Sequence, residues 1–441
     1  MAQNPEGFDN FRPRNTDRDG SIEHTRFTGL NNRTPVERLL PKTLSSAVNV
    51  DLDEQGQVSR RPGFTTAYTG ADLHSLWSGG DYMLCVEGTQ LKRLTVTPAG
   101  TITASVLGSG FMPGKHLAYD LVNNEAYLSN GVVTGKVTAD GLVPWGVQTP
   151  ARQPALAADT VGGLHAGTYQ VAVTFVADTG EESGSPAPQE IAIAEGGGIL
   201  LSLLPQPTEA NIYAVRIYVS PPNEDVLYHA SEVAAGTSSA YVYRWDTGMP
   251  LQTLHLDKMP PATSIAHLGG RIYGALGNAL YWSEPLRYGL YRPSRNWMPF
   301  SGNIKAIAAV EGAGLYVIGD KTWFLSGTEP DKFEQTEVLS YGGPEQHVLR
   351  VPREAFTALN IDIADVPVWL SDRGFHAGLP SGVVNLTEKE VVVDSYKRIA
   401  ALYREQNGRR QVIATGANPE RSAIAMGDNV VAQIRRNGVI I

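Results

Sequence analysis

The chain has 441 residues, 42% of them apolar, which excludes an intrinsically disordered protein and leaves room for two or three domains. Its 36 basic and 45 acidic residues give a net charge of -9, which argues against a protein that coats nucleic acid over its whole surface. A single cysteine, Cys85, excludes an internal disulfide and a cysteine-based metal cage, and its apolar neighbours Met83, Leu84 and Val86 make it a buried strand residue.

From Met1 to Glu23 the chain is polar and without periodicity, so an arm that is extended or disordered unless a neighbour holds it is expected, with no apolar core of a secretory signal. No stretch approaches the 18 or so apolar residues of a membrane span, so the protein is expected to be cytoplasmic or part of something assembled in the cytoplasm. The segment Asn15–Glu23 places oxygen-bearing side chains and Gly20 as a calcium loop does. Its twelfth position is Arg26 where a bidentate carboxylate is needed, so it reads as a solvated acidic turn. Asp51, Asp53 and Gly56 fail the same pattern at Pro62.

Helix signals are few: short candidates lie at Pro35–Leu40 and near Glu388–Val393. Ala47–Leu52 alternates with period two, Asp53–Gly56 is a turn and Gln57–Arg61 returns, which predicts a hairpin stopped by Pro62-Gly63. A repeated plan of apolar strand, polar turn, apolar strand, glycine turn and short strand follows. Copies begin at Leu73, His116, Ser264 and Ala306, with weaker ones at Val366 and Ile399. The first and second copies, and the third and fourth, start about 42 residues apart, the length of a four-stranded propeller blade. The expected fold is therefore all-β, a β-propeller-like body of five or six blades, with a second packed β-sandwich as the competing architecture.

The gap between the second and third copies is too long for one blade. It opens with the Pro/Ala-rich run Thr149–Pro154 and contains the alternating runs Gly167–Val176, Val215–Ser220 and Ala240–Asp246. About seven short strands in such a span predict an inserted immunoglobulin or fibronectin type III-like β-sandwich. The expected domains are an arm and hairpin at 1–70, propeller halves at 71–150 and 261–415, the insert at 151–260, and a tail at 416–441.

Searches for fixed-spacing chemistry fail. Gly110–His116 resembles a phosphate loop, but has one residue too few between its glycines and His116 where a hydroxyl must meet magnesium. No nucleophile elbow or zinc-binding His pair occurs, and the nine His are scattered. Asp320, Asp372 and Glu284 sit near blade turns, where a propeller glycosidase would hold paired acids. Trp282, Trp323 and Trp369 recur on blade strands and read as core rather than sugar platforms. The sequon Asn385-Leu386-Thr387 has no meaning without a secretory route. No catalytic, cofactor-binding or metal residue is expected, and the chain reads as a non-enzyme.

Phe27–Asn32, followed by Ala47–Leu52 and Gly56 through Arg60-Arg61-Pro62-Gly63-Phe64, resembles the N-terminal signature of bacteriophage virion proteins of the propeller type. Gly269–Ala275 with Leu280–Pro285, and Trp369–Gly374, are similar to their blade phrases. Gly167–Phe175, Gly180-Glu181-Glu182-Ser183 and Arg216–Ser220 are similar to their fibronectin-like insert. The resemblance covers about 27 to 415 and includes tail hub, nozzle and packaged-DNA stabilisation proteins, and tail-tip proteins. It implies a tail subunit in the virion that forms a ring with itself, joins other tail or portal proteins, and forms or closes the DNA channel. The N-terminal arm and the tail ending Val439-Ile440-Ile441 would order on a neighbour. The competing readings are an adhesin for host-surface carbohydrate and a propeller glycosidase.

Overall fold

The computed structural model describes residues 25–53, 55–63, 65–356, 362–387, 390–392, 396–406, 409–417 and 429–434. The expected arm at Met1–Glu23, with its acidic turn at Asn15–Glu23, and most of the tail, including its apolar tip, lie outside the described residues. The fold is all-β and consists of many small, mostly antiparallel sheets, consistent with a β-propeller-like architecture. Among the described residues there is no α-helix, and no helix is long and apolar enough to cross a membrane.

The helix expected at Pro35–Leu40 is corrected to one 3-10 turn, Val36–Arg38. None of its residues is buried and no side chain caps it, so nothing propagates the turn. Two of the residues of the second helix candidate, Glu388 and Lys389, and its end at Val393 lie outside the described residues.

The chain divides into two units, 67–348 and the pair of segments 1–66 and 349–441. In the 67–348 unit, four meanders of four strands follow one another. The first runs through Leu73–Gly79, Tyr82–Glu87, Gln90–Val96 and Ile102–Ser109. The second comprises Ala118–Val122, Glu125–Ser129, Thr134–Thr138 and Gly141–Val143. The third comprises Ser264–Leu268, Arg271–Leu276, Ala279–Trp282 and Trp297–Pro299, and the fourth Ala306–Val310, Gly314–Ile318, Thr322–Ser326 and Glu334–Leu339.

Tight turns let these strands pair in sequence order. Asn123 and Asn124 both adopt positive φ, 52° and 59°, and Gly269-Gly270 do the same at 57° and 72°. These are the mirror-image turns whose twist matches antiparallel strands, and Asn and Gly tolerate them best. The cores lie between meanders. Leu84, Val86 and Leu91 of the first pack with Tyr119, Ala126 and Leu128 of the second. Leu268, Tyr273 and Leu280 of the third pack with Ile307, Leu315 and Val317 of the fourth. Each fully buried side chain of this size contributes about 1.5–3 kcal/mol.

Between the second and third meanders, seven strands form two sheets. Ala155–Leu164, Gly197–Ser202 and Ser239–Val242 make one, with Gly197–Ser202 central. Gln189–Ile193, Gly167–Ala177, Ile212–Val219 and Tyr228–Ala234 make the other, in that order. The sheets share a single core, to which Val171, Val173 and Phe175 contribute from one strand and Val215, Ile217 and Val219 from its neighbour. The intervening positions Thr174, Arg216 and Tyr218 are cross-strand neighbours on the opposite face, because side chains alternate along a strand.

The other unit holds a further meander, Leu349–Pro352, Asp365–Ser371, Gly374–Leu379 and Gly382–Asn385. Three more antiparallel strands follow, Arg398–Gln406, Arg409–Ala417 and Asn429–Ile434. The N-terminal hairpin is shorter than its alternation suggested, Val50–Leu52 paired with Val58–Arg60. Asp51 of this hairpin is buried and receives Nε of Arg61 at 2.9 Å, Nη1 of Arg409 at 3.2 Å and Nε2 of Gln411 at 3.3 Å. Gln411 is itself held by Arg404, which donates twice to its side-chain oxygen at 2.9 and 2.7 Å. Arg61 also donates to the Val50 carbonyl at 3.1 Å. The acid and the arginine of the hairpin signature are thus partners in one buried network.

Candidate functional site

A cleft of about 750 Å3 opens in the 67–348 unit where the second meander, the seven-strand body and the Leu286–Leu290 loop meet. Its volume falls within the ordinary range of small-molecule clefts, roughly 300–1,000 Å3.

The second meander supplies one wall. Lys136, almost wholly buried, reaches Glu125 at 3.3 Å and, across the cleft, Glu181 at 3.2 Å. Its ammonium also stands 5.8 Å from the centre of the Tyr127 ring. The Tyr127 hydroxyl donates to Glu125 at 3.1 Å. Burial, reinforced by the Glu125 charge, pushes the Tyr127 phenol far above its ordinary value, so it stays a donor. The Tyr127 ring meets Trp145 and Tyr288 edge-on, at 5.4 and 5.7 Å. The Trp145 indole donates to the Tyr288 carbonyl at 2.8 Å, fixing the loop to the meander. Beside it Gly146, at φ +78°, lies so close to Gly289 that a Cβ there would stand 2.5 Å from the Gly289 carbonyl oxygen.

The outer face of the four-stranded sheet forms the opposite wall. Glu182 accepts hydrogen bonds from Thr174 and Tyr218, both at 2.6 Å, and from Arg216 at 3.3 Å. Arg216 also donates to Glu232 at 2.7 Å. Burial opposes the Arg216 charge, but Glu232 and Glu182 outweigh it and hold the guanidinium above its ordinary value. Burial, and then the bond to Glu182, pushes the Tyr218 phenol strongly up. His229 stands edge-on to Tyr218 at 5.7 Å.

The rim is apolar where Met249 and Leu286 stand three-quarters exposed. Arg287 is held there by Gln252. Thr253 also lines the cleft and is 97% buried, yet its hydroxyl has no hydrogen-bond partner among the described residues. An unsatisfied buried hydroxyl costs about 1–3 kcal/mol, so such a group calls for an explanation.

The acids expected near blade turns are not part of this cleft. Asp320 is exposed and pairs with Lys305 at 3.2 Å, and Glu284 is tied to Asn296 at 2.9 Å. Asp372 is exposed in the other unit. Trp282 and Trp369 are buried, and Trp323 is partly covered, with the Lys321 ammonium 5.9 Å from its ring centre. Among the described residues no group of three His, Cys, Asp or Glu is arranged to hold a metal ion.

The cleft residues were legible only as phrases. Gly180-Glu-Glu-Ser reads as a turn and Arg216-Ile-Tyr as a strand, yet the structure joins them through Glu182, Arg216 and Tyr218. Alternate polar residues on an otherwise apolar buried strand, Thr174 among Val173 and Phe175, are the signal that marks the second polar face.

No family model matches the chain, and no curated protein matches it either. Among solved structures it is similar to one titled "AfRom2 CNH domain", at 9% identity, a TM-score of 0.27, and coverage of 84% of this chain and 98% of that one. A likeness at that TM-score carries no argument about this chain.

Proposed function

We propose that the protein is a structural component of a bacteriophage virion, a tail hub, nozzle or tip subunit that assembles with itself into a ring. The supporting observation is the order of parts along the chain. A hairpin bearing the Arg60-Arg61-Pro62-Gly63 phrase precedes two four-strand meanders, a seven-strand body and then further meanders. In this reading the meanders are five or six blades of a propeller, and the seven-strand body is a fibronectin type III-like sandwich inserted after the second. The ring would join other tail or portal proteins and form or close the channel for DNA, without a catalytic role.

Closed rings need two different, matching patches on each subunit. The net charge of -9 suits such a role, since excess negative charge keeps free subunits apart and gives passing DNA little to adhere to. The test is to locate the protein in purified particles by electron microscopy with an antibody label. One ring at the portal exit or the tail tip is the expected result. Absence of the protein from particles overturns the proposal, and detachable spikes outside any ring favour an adhesin instead.

A further inference from the structure

We infer that the cleft bounded by the second meander, the seven-strand body and the Leu286–Leu290 loop is a binding site for a short neutral saccharide. The inference stands on the cleft alone and is independent of the protein's place in a particle.

The chemistry of the walls selects the ligand class. Four carboxylates and three cationic side chains line the cleft, and Glu125, Glu181, Glu182 and Glu232 are each already paired with Lys136 or Arg216. The charges are close to balanced, so neither a polyanion nor a polycation gains a net attraction. A phosphate-bearing ligand would meet the four carboxylates, and a purely apolar ligand would strip water from them without returning hydrogen bonds. A polyhydroxyl ligand suits both, because each hydroxyl donates to a carboxylate or phenol oxygen and accepts from an ammonium or guanidinium.

Two further features agree. The carboxylates, Arg216 and the two phenols hold one another rigid through short bonds, so little side-chain freedom is lost when a ligand binds. The exposed Met249 and Leu286 at the rim offer apolar contact for the C–H faces of a sugar ring.

The test is titration calorimetry of the full chain with maltotriose, cellotriose, triacetylchitotriose and galactobiose. Sialyllactose and a heparin tetrasaccharide serve as acidic controls. Concentrations up to about 10 mM detect any dissociation constant of roughly 1 mM or tighter. One neutral saccharide should bind in preference to the acidic ones. Glu181→Gln, at a half-exposed position in the wall, should weaken it about 3- to 10-fold. Leu286→Lys, at a largely exposed position that folding does not need, should also weaken it by obstructing the mouth. Failure of every neutral saccharide to bind overturns the inference, as does preference for the acidic ones. Binding that neither variant changes overturns its placement in this cleft.

Discussion

Replacing Asp51 by alanine should destabilise the unit built from the N-terminal hairpin and the C-terminal strands by about 3–5 kcal/mol. The side chain of Asp51 is only 3% exposed, and that of its nearest partner Arg61 is 14% exposed. Removing one member of a buried pair leaves the other charge uncompensated, which costs about 3–5 kcal/mol. Arg409 is one-third exposed, so its share is no more than about 1 kcal/mol. A loss of ~3 kcal/mol corresponds to a fall in Tm of roughly 6–12 °C for a unit of this size. Asp51→Asn keeps an acceptor for Arg61 and should cost less than half as much. Differential scanning calorimetry gives the Tm. Hydrogen exchange should show loss of protection in 50–60 and 398–417 together. A double-mutant cycle with Arg61→Ala should give a coupling of at least about 1 kcal/mol. A Tm for Asp51→Ala within about 1 °C of the parent, with unchanged exchange, refutes the reasoning.

Cys85 is buried, and burial followed by the Glu87 charge pushes its thiol up. Its reaction with a disulfide reagent should therefore be about a thousandfold slower in the native protein than in denaturant, and comparable rates would refute its burial. The phenols of Tyr119, Tyr127, Tyr218 and Tyr273 are all raised, burial being the first cause in each. The unfolded chain releases these protons near pH 10 while the folded one retains them. Their contribution to stability is thus complete below about pH 10 and is lost as pH rises beyond it. At least four of the eighteen tyrosines should escape phenolate titration until the protein unfolds, which absorbance at high pH checks. Gly146→Ala should cost roughly 2–5 kcal/mol, a left-handed backbone penalty of about 1–2 plus overpacking of about 1–3 against Gly289. Gly180→Ala, at φ +80° with open space around it, should cost only about 1–2 kcal/mol, and equal urea midpoints for the two variants would refute the close approach.

The all-β class and the strand-turn-strand cadence could be read from the sequence because Gly, Asn and Pro punctuate short apolar runs. Three strands of the first, third and fourth meanders were visible this way; the fourth strand was not. Ile102–Ser109 and Glu334–Leu339 are exposed edge strands with no apolar face to bury, so no alternation announces them. Ala155–Leu164 escaped notice for the same reason, being mostly exposed and rich in Ala and Gly. The cleft was hidden for a different reason. Lys136 and Glu181 are 45 residues apart and Glu182 and Arg216 are 34 apart, so no local spacing links them. Long-range pairing of alternate strand residues brings them together, and a period-two pattern says which face a residue takes, not what stands opposite.

The Asp51 network also bears on how the chain is made. Arg61 follows Asp51 by 10 residues, but Arg409 follows it by 358. At synthesis rates of about 5–20 residues per second, the hairpin waits roughly 20–70 s for its distant partner. Of the three side chains that meet Asp51, only Arg61 is present over that interval, and the network closes only when Arg409 and Gln411 join it.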